Sequence, residues 1–368
     1  MFTINKKHAL LINYTANSYH WGCYGTSVEI FDTLIEKGYL VETISVSEIA
    51  SLDLYRFDSN AIDSGKLLIK ILQKNERIYR LILATDVVVV NGEGTLHGAN
   101  QAPVNLLYLI FILKRYLNKK VHLINTAIFP NSLTDFSGDN NTAAVISQLY
   151  MFCLQDLDLI ATRDEYSASN LKALKLNCVD SFDCLPRFIA RNQLVNSATR
   201  HQGYLISGGI ALSKKHCETL AFILNSKIDL DKPIYFLSGA KSLPVDSDKT
   251  QFEWFQKHLP NLKWLYANSM QEWLSFIARS EWIISGRFHH SLAAATLGTP
   301  FLSLSSNTPK IKAALAILGL PNQISLENEV EIKKTENEIS KILVDPRFAS
   351  TEKVNMVIKL AESNFIGI

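Results

Sequence analysis

The chain has 368 residues, of which 47% are hydrophobic and 20% are charged, which is the balance of a folded globular protein. This length exceeds what one hydrophobic core usually serves, so it predicts two domains of about 150 to 180 residues each. The formal net charge of +2 gives no field strong enough to favour a nucleic-acid partner.

The five cysteines are scattered and form no C-x-x-C pair, so they predict neither a disulfide framework nor a metal site. Reduced thiols of this kind fit a cytoplasmic protein. The first apolar run is too short for the core of a signal peptide. The longest run, 106–113, is far below the roughly 20 residues of a membrane-spanning helix, so no transmembrane segment is expected.

Short β-type runs alternate with stretches of helical period along the whole chain, which predicts parallel strands joined by helices. The predicted strands are 8–13, 86–91, 121–125, 157–161, 204–207, 234–237, 264–266, 282–285 and 301–304. The predicted helices are 27–37, 102–117, 142–154, 164–174, 214–224, 248–258, 270–278, 288–297, 309–318 and 351–363.

The periodicity lapses near Pro186, where no clean helix or strand repeat is visible, and this indicates a connector. The predicted organisation is an N-terminal Rossmann-like domain, a connector, a C-terminal Rossmann-like domain and a C-terminal helix, at 1–182, 183–200, 201–345 and 346–368. We expect two Rossmann-like domains of the α/β class that face each other across a cleft, with ligands at the carboxyl ends of the strands.

The segment WIISGRFHHSLAAATLGTP carries the strongest chemical signal, because an apolar strand ends at Gly286 and an Ala-rich helix opens at once. The positive end of a helix favours an anion, and Arg287 can add a bidentate grip on phosphate or carboxylate. His289 lies in the first turn of the same helix. Lys310 opens the next helix behind Pro309. The alternative is that Arg287 pairs with a surface carboxylate and that His289 or His290 packs under the helix.

A second segment, VVVVNGEGTLHG, runs from a β-branched strand into glycines that predict a tight turn and a phosphate cradle. It lacks the spacing of a P-loop or a dinucleotide fingerprint, so plain turn chemistry stays an alternative. Glu93 and His97 each offer a base for a sugar hydroxyl, and for each a surface role is the alternative. The predicted substrate-binding positions here are Gly92, Glu93, Gly94, Thr95 and His97.

Two further strand ends carry polar or aromatic groups. After the first strand, Tyr14, Tyr19 and Trp21 offer ring faces for a sugar, and Asn17 offers hydrogen bonds. In LIATRDEYSASNL, Arg163 follows an apolar strand and Asp164 is placed as a helix N-cap. Arg163 is predicted to point at the edge of the cleft, and an ion pair with Asp183 or Glu165 is its alternative.

Four segments together resemble the polysaccharide pyruvyl transferase family, in order and over most of the chain: NYTANSYHWGCYGTS, VVVNGEGTLHG, ATRDEYSASNLKAL and SGRFHHSLAAATLGTPFLSLSSNTPKIKAALAILGL. The last is the most specific, with the Arg-x-His of the family, the Gly-x-Pro before the next strand and the lysine that follows. The resemblance implies a glycosyltransferase-B-like fold and a place in polysaccharide biosynthesis of the cell envelope.

The resemblance further implies transfer of a pyruvyl group from phosphoenolpyruvate to two hydroxyls of a sugar, which forms a cyclic ketal on a surface polysaccharide or its lipid-linked precursor. By position, Arg163, Arg287 and Lys310 would hold the phosphate and carboxylate of the donor, and His289 would be the catalytic acid and base. Phe288 matches the residue whose backbone N–H lines the anion site. The chemistry requires no cofactor and no metal.

The glycine segment departs from the family, because many relatives carry three successive glycines where this chain reads Gly-Glu-Gly. A glycosyltransferase that uses a nucleotide-activated sugar in the same cleft is therefore the alternative function. A non-catalytic carbohydrate-binding relative is a third hypothesis. A lipid-linked acceptor would bring the protein to the inner face of a membrane, for which four cations offer a peripheral contact, with a solvated helix end as the alternative: Lys114, Arg115, Lys119 and Lys120.

Overall fold

The computed structural model describes residues 6–17, 21–54, 65–130, 140–192, 203–210, 212–239, 246–321 and 323–368. These residues divide into two compact units, each built around its own sheet. As far as it is described, the first unit contains Met1–Asn17, Ser27–Cys184 and Lys359–Ile368, and the second contains Ser18–Thr26 and Leu185–Ile358.

The described part of the first unit contains one parallel sheet with the strand order β2-β1-β3-β4-β5-β6. Its strands are β1 (His8–Tyr14), β2 (Leu40–Ser45), β3 (Val87–His97), β4 (Lys120–Phe129), β5 (Leu159–Thr162) and β6 (Val179–Asp180). Its helices are α1 (Trp21–Glu36, which begins in the second unit), α2 (Val46–Ala50), α3 (Gly65–Lys74), α4 (Glu76–Ala84), α5 (Gln101–Arg115), α6 (Asn140–Leu154) and α7 (Glu165–Ala173).

The apolar runs of the sequence explain where this sheet lies. The run 9–12 of β1 is fully buried and pairs with 87–90 of β3, as expected for central parallel strands covered on both faces. Every residue of α5 from Pro103 to Leu113 is buried as well, so this helix lies inside the unit rather than along its surface.

The last ten residues of the chain pack into the first unit. A 3-10 helix, Ala361–Phe365, contains the fully buried Asn364. The Asn364 side chain accepts a hydrogen bond from the backbone N–H of Asn125 at 2.6 Å and donates to the carbonyl of Phe182 at 2.9 Å. One buried amide therefore joins the chain terminus to β4 and to the segment that follows β6.

The described part of the second unit contains a parallel sheet with the order β11-β10-β7-β8-β9. Its strands are β7 (Tyr204–Gly209), β8 (Ile234–Leu237), β9 (Leu262–Leu265), β10 (Trp282–Gly286) and β11 (Phe301–Ser303). Its helices are α8 (Leu185–Asn192), α9 (Lys214–Lys227), α10 (Asp246–Gln256), α11 (Met270–Arg279), α12 (Phe288–Thr296), α13 (Lys310–Leu318), α14 (Glu329–Val344) and α15 (Thr351–Leu360).

Both sheets have a point where the chain reverses the direction in which it adds strands. In the first sheet this switch point lies between β1 and β3, because β2 lies on one side and β4 to β6 lie on the other. In the second sheet it lies between β7 and β10. Loops leave a switch point in opposite directions and open a crevice at the carboxyl ends of the strands, which is where doubly wound sheets bind ligands.

The structure corrects two local expectations. Helix α1 begins at Trp21 rather than near residue 27, so Trp21 and Gly22 belong to its first turn and not to a loop. The glycine segment is not a tight turn: β3 continues through it to His97, with a shift of register against β4 between Glu93 and Leu96. The prediction of a phosphate cradle at this segment is therefore wrong in its geometry.

The segment predicted as a connector is partly helical. Residues 185–192 form α8, and its buried residues include Leu185, Pro186, Phe188 and Ile189. Pro186 is the second residue of this helix, where a missing backbone N–H breaks no hydrogen bond of the helix. Residues 193–200 lie outside the described part of the chain. Within the described part, no helix is both long and apolar enough to cross a membrane.

Candidate functional site

The carboxyl end of β10 and the start of α12 form the core of the candidate site in the second unit. Arg287 is the N-cap residue of α12, and its backbone N–H donates to the hydroxyl of Ser285 at 3.0 Å. The helix therefore starts directly at the strand end, as the sequence predicted. Its positive end lies at the switch point between β7 and β10.

A second helix N-terminus follows the neighbouring strand. Lys310 is the first residue of α13, and Pro309 is its N-cap, which confirms the predicted start of this helix. Strands β10 and β11 are parallel neighbours, so α12 and α13 both begin on the carboxyl side of the sheet, and the two helices contact each other. Two positive helix ends with a cationic side chain on each favour an anion.

A buried carboxylate holds Arg287. The guanidinium donates to Oδ1 of Asp248, which lies on α10 and is fully buried. The other carboxylate oxygen accepts a hydrogen bond from the backbone N–H of Gly239 at 2.9 Å. Arg287 is thus paired with a buried carboxylate, and not with the surface carboxylate considered as its alternative. An ion pair between a guanidinium and a buried carboxylate fixes the orientation of the guanidinium.

The two adjacent histidines have different environments. His290 is buried, and its Nε2 accepts from the indole N–H of Trp273 at 3.2 Å. Because an indole N–H only donates, Nε2 carries no proton, and the neutral ring carries its proton on Nδ1, 3.2 Å from the hydroxyl of Ser285. Ser285 in turn accepts from Arg287, so His290 is a structural residue that stabilises the start of α12.

His289 is only half-buried and packs against the first turn of α1. Its Nδ1 lies 3.9 Å from the thiol of Cys23, and its ring meets the ring of Phe288 edge-on at 5.2 Å between centroids. A Cβ atom on Gly22 would overlap the side chain of His289. The absence of a side chain at Gly22 is therefore a condition for the observed position of the histidine.

Trp21 lies beside this contact. Its ring is buried, and its indole N–H donates to the carbonyl of Ala267 at 3.1 Å. The ring is thus part of the packing of the second unit and offers no open face of the kind predicted for a sugar. Tyr19 lies outside the described residues, and Tyr14 is half-buried against Phe31.

In the first unit, the predicted residue Glu93 lies at the switch point between β1 and β3. Its Oε1 accepts from the hydroxyl of Thr15 at 2.8 Å and from the side-chain amide of Asn91 at 2.9 Å. The amide of Asn13 donates to the carbonyl of Asn91 at 2.7 Å. These contacts form a buried polar cluster at the carboxyl ends of the two strands.

The other predicted residues of the first unit lie around this cluster. Gly92 is buried against the side chain of Thr126, which leaves no room for a Cβ. Thr95 accepts from the amide of Asn13 at 3.0 Å. Three more residues lie at the surface or half-buried: Asn17 in the turn after β1, Gly94 within β3 and His97 at the end of β3.

Arg163 forms the buried ion pair that was its alternative. Its Nη1 lies 2.7 Å from Oδ2 of Asp183, and both side chains are at most 2% exposed. The next residue, Asp164, is the N-cap of α7 as predicted and accepts from the backbone N–H of Ser167 at 2.8 Å. Burial raises the pKa of Asp164, although Ser167 and Arg163 act in the opposite direction.

The structure thus places the predicted site residues in two groups. Arg287, Phe288, His289 and Lys310 lie together in the second unit, and Asn17, Arg163 and the residues of β3 lie in the first. The sequence prediction missed Asp248 and Gly22. Asp248 looks like one of many acids in a helix, but a glycine shortly after the first strand of a Rossmann-like unit is a signal of close packing that could have been used.

The four cations of the predicted membrane contact all have partners within the chain. Lys114 pairs with Asp158 at 2.7 Å, Arg115 pairs with Asp156, and the amino groups of Lys119 and Lys120 donate to backbone carbonyls. This arrangement agrees with a solvated helix end, and the membrane contact stays a prediction.

Comparison with solved structures defines the class of fold. The chain is similar to a putative UDP-N-acetylglucosamine 2-epimerase from Listeria monocytogenes (TM-score 0.54, 11% identity, 98% of this chain and 94% of that chain covered). It is also similar to the UDP-N-acetylglucosamine 2-epimerase of Rickettsia bellii (TM-score 0.57, 13% identity, 98% of this chain and 98% of that chain covered). A third similar structure is a sucrose-phosphate synthase from Thermosynechococcus elongatus (TM-score 0.60, 10% identity, 98% of this chain and 97% of that chain covered). The chain thus has the glycosyltransferase-B fold.

A comparison with protein families identifies the chain more closely. Residues 30–308, which include most of both units, match the model of the polysaccharide pyruvyl transferase family. The chain therefore belongs to the polysaccharide pyruvyl transferase family. A search of curated proteins found no significant match.

Proposed function

We propose that this protein transfers the pyruvyl group of phosphoenolpyruvate to two hydroxyls of one sugar, in a surface polysaccharide or its lipid-linked precursor, and so forms a cyclic ketal. Its membership of the family supports the reaction class. The observation that carries the donor assignment is the group at the start of α12, where His289, a titratable side chain, follows the buried pair of Arg287 and Asp248.

The charges of the site suit this donor. Phosphoenolpyruvate carries a phosphate and a carboxylate, and the site offers Arg287 on one helix N-terminus and Lys310 on the next. Charge builds up on the phosphate as it leaves, and fixed cations offset that charge best when they are already in place. The ion pair with Asp248 provides such a fixed position for Arg287.

The chemistry needs one proton donor near the methylene carbon of the donor. In our proposal, His289 gives a proton to C3, which leaves an electrophilic, oxocarbenium-like C2. The first sugar hydroxyl forms a bond to C2 and gives its proton to His289, which is thereby restored. The second hydroxyl then forms the other C–O bond while the bond between C2 and the phosphate oxygen breaks, and its proton leaves with the phosphate. Histidine suits this role because its side chain exchanges protons near neutral pH.

A nucleotide-activated sugar is the competing donor. The similar solved structures are named as enzymes of UDP-N-acetylglucosamine and as a sucrose-phosphate synthase, but at 10–13% identity they establish the fold alone. If the donor were a nucleotide-activated sugar, Arg287 and Lys310 would bind its diphosphate. The match to the pyruvyl transferase family favours phosphoenolpyruvate.

A thermal-shift titration separates the two donors. A ligand at 100 times its Kd stabilises the folded state by about 2.7 kcal/mol, which gives a measurable rise in Tm. We expect phosphoenolpyruvate to raise Tm in the wild type and to lose this effect in Arg287→Ala. Stabilisation by UDP-sugars and not by phosphoenolpyruvate would overturn the proposal.

Turnover provides the direct test. Phosphate release from phosphoenolpyruvate is measured with a panel of hexose glycosides whose hydroxyls offer 1,2- and 1,3-diols, and the product is analysed by mass spectrometry for a ketal. We expect release with at least one glycoside and a loss of about 100-fold or more in His289→Gln. Donor binding without release in any mixture would favour the hypothesis of a non-catalytic relative.

A further inference from the structure

The thiol of Cys23 contacts the proposed catalytic histidine, and the steps above do not use it. Its Sγ lies 3.9 Å from Nδ1 of His289, within the range of a hydrogen bond to sulfur. Cys23 belongs to the first turn of α1 and His289 to the first turn of α12, and both turns are part of the second unit. The contact is therefore internal to the unit that holds the candidate anion site.

The first turn of α1 is fixed in the second unit by close packing. The indole N–H of Trp21 donates to the carbonyl of Ala267 at 3.1 Å. Gly25 lies so near to Leu185 and Met270 that a Cβ atom there would be 2.8 Å from both side chains. Cys23 lies between these two anchors in the chain and is itself buried. Its sulfur therefore has a fixed position from which to orient the histidine.

A hydrogen bond to Nδ1 selects one orientation of the imidazole ring. Gly22 leaves room for the ring, because a Cβ atom there would overlap the His289 side chain, but packing alone does not tell one edge of the ring from the other. A ring that turns over about its bond to Cβ exchanges Nδ1 with a carbon, and this torsion is roughly two-fold in an unconstrained histidine. The sulfur of Cys23 favours the state in which the nitrogen faces it.

A thiol suits a histidine that loses and regains a proton. The S–H group is a weak donor and the sulfur is a weak acceptor, so a thiol can donate to a bare Nδ1 and accept from a protonated one. The contact can thus persist while His289 gives its proton to C3 of the donor and takes one from the sugar hydroxyl. The hydrogen bond of one ring nitrogen also sets which nitrogen of a neutral histidine carries the proton.

We propose that Cys23 is a positioning residue for His289: its thiol holds Nδ1, keeps the imidazole in one orientation and so aims the ring at the methylene carbon of phosphoenolpyruvate. The thiol forms no bond to the donor or the sugar, and it is neither oxidised nor reduced. Groups that orient a catalytic side chain raise kcat, because a side chain that turns freely is aligned for only part of the time. This inference rests on the proposed function and adds to it the group that orients its acid and base.

The test compares Cys23→Ala and Cys23→Ser with the wild type. The alanine variant removes the hydrogen bond, whereas the serine variant keeps a group that both donates and accepts. Cys217→Ala is the matched control, because Cys217 is a buried thiol in α9 of the same unit and packs in its hydrophobic core. Each protein is measured for Tm and for kcat and KM with phosphoenolpyruvate and the best glycoside of the panel. Nitrogen NMR of the imidazole rings, with the His289 signals identified by their loss in His289→Gln, reads the contact without substrate.

We expect Cys23→Ala to lower kcat about tenfold or more, because a misaligned acid and base transfers its proton less often. The KM for phosphoenolpyruvate should stay within about twofold of the wild type, and the ring signals of His289 should change. Cys23→Ser should lie between the alanine variant and the wild type in kcat. Cys217→Ala should lower Tm and leave both kcat and the His289 signals as they are.

A double-mutant cycle shows whether the thiol acts through the histidine. In a His289→Gln background, Cys23→Ala should change the residual kcat by less than about twofold, since the group that it orients is gone. An equal loss of kcat in both backgrounds, or a kcat of Cys23→Ala within about twofold of the wild type, would show that the thiol has no positioning role. A wild type without turnover contradicts the proposed function instead, and the ring signals then still show whether the thiol holds the imidazole.

Discussion

The guanidinium of Arg287 donates to the buried carboxylate of Asp248, although the two residues are 39 positions apart in the chain. This contact joins the start of α12 to α10 across the carboxyl side of the second sheet. A cation that is held before the substrate arrives needs no reorganisation during the reaction. The pair therefore links the stability of the second unit to the placement of its anion-binding side chain.

Asp248→Asn should weaken catalysis even though it makes the site more positive. The added net charge favours an anion, but a bidentate grip needs Arg287 in position within about 0.5 Å, and we expect the loss of position to dominate. The expected result is a kcat/KM for phosphoenolpyruvate at least about tenfold lower. The unfolding free energy should also fall by about 3–5 kcal/mol, as for other buried pairs that lose one partner.

The control for this variant is Glu281→Gln, which breaks the more exposed pair of Lys232 and Glu281 at 2.8 Å. Exposed pairs contribute about 0–1 kcal/mol, so urea unfolding should show little change. An Asp248→Asn protein with wild-type kcat/KM would contradict the positioning role.

The neighbours His289 and His290 should respond differently to substitution. His289→Gln should lose activity and keep its Tm within about two degrees, as expected for a half-buried residue. His290→Phe should leave the buried indole N–H of Trp273 without its acceptor, which costs about 1–3 kcal/mol of stability. Paired measurements of kcat and of thermal unfolding check both. Equal effects of the two variants on kcat and on Tm would refute the assignment of His289 as a catalytic residue and of His290 as a structural one.

Gly22→Ala should displace His289. The new Cβ would overlap the histidine side chain, so either α1 or α12 must shift, and overpacking of this kind costs about 1–3 kcal/mol. We expect kcat and Tm to fall together. In a His289→Gly background the overlap is gone, so the same alanine should have little effect on Tm. A double-mutant cycle measured by thermal unfolding gives the interaction energy directly, and a value near zero would contradict the contact.

His122 should make the protein acid-sensitive. It is buried in β4, and neither ring nitrogen has a hydrogen-bond partner among the described residues. Burial lowers its pKa to about 4, and Lys120 and Lys114 add to this, while Asp158 acts against it. The unfolded chain has the ordinary value of 6.5, so as the pH falls from 6.5 to 4 it binds a proton that the folded chain does not.

This difference should lower the stability by about 3 kcal/mol across that pH range. His122→Leu should remove most of the loss, and His258→Gln, a change at an exposed histidine, should not. Urea unfolding at pH 7.5, 6 and 5 measures the effect. If the wild type and His122→Leu lose the same free energy between pH 7.5 and 5, other groups cause the acid sensitivity.

Much of the fold was readable from local patterns. Strands β1 and β3 have continuous apolar runs, at 9–12 and 87–90, because both faces of a parallel sheet are covered, and such runs stand out in a sequence. The prediction did not include β2, in which only Ile44 is buried, or α14, whose buried residues are Thr335, Ile339 and Ile342. Edge strands and surface helices bury less and therefore leave a weaker pattern.

The candidate site could be predicted from the sequence only in part. Arg287, His289 and Lys310 follow the ends of predicted strands. Because ligands of such sheets bind at strand ends, these residues could be proposed from the sequence alone. The left-handed backbone of Glu93 and its continuation in β3 could not be predicted, because the glycines beside it equally allow a turn. That conformation depends on contacts with β1, α1 and β4.

By itself, the sequence determined the α/β class, the alternation of strands and helices, and the starts of α12 and α13 with their cations. Each of these depends on residues close in the chain: hydrophobic period, helix start signals and the residue after a strand. The tertiary structure decided which of two adjacent histidines is held neutral by Trp273, and that Asp248 orients Arg287. These outcomes depend on side chains from different elements, and only the folded chain brings those elements together.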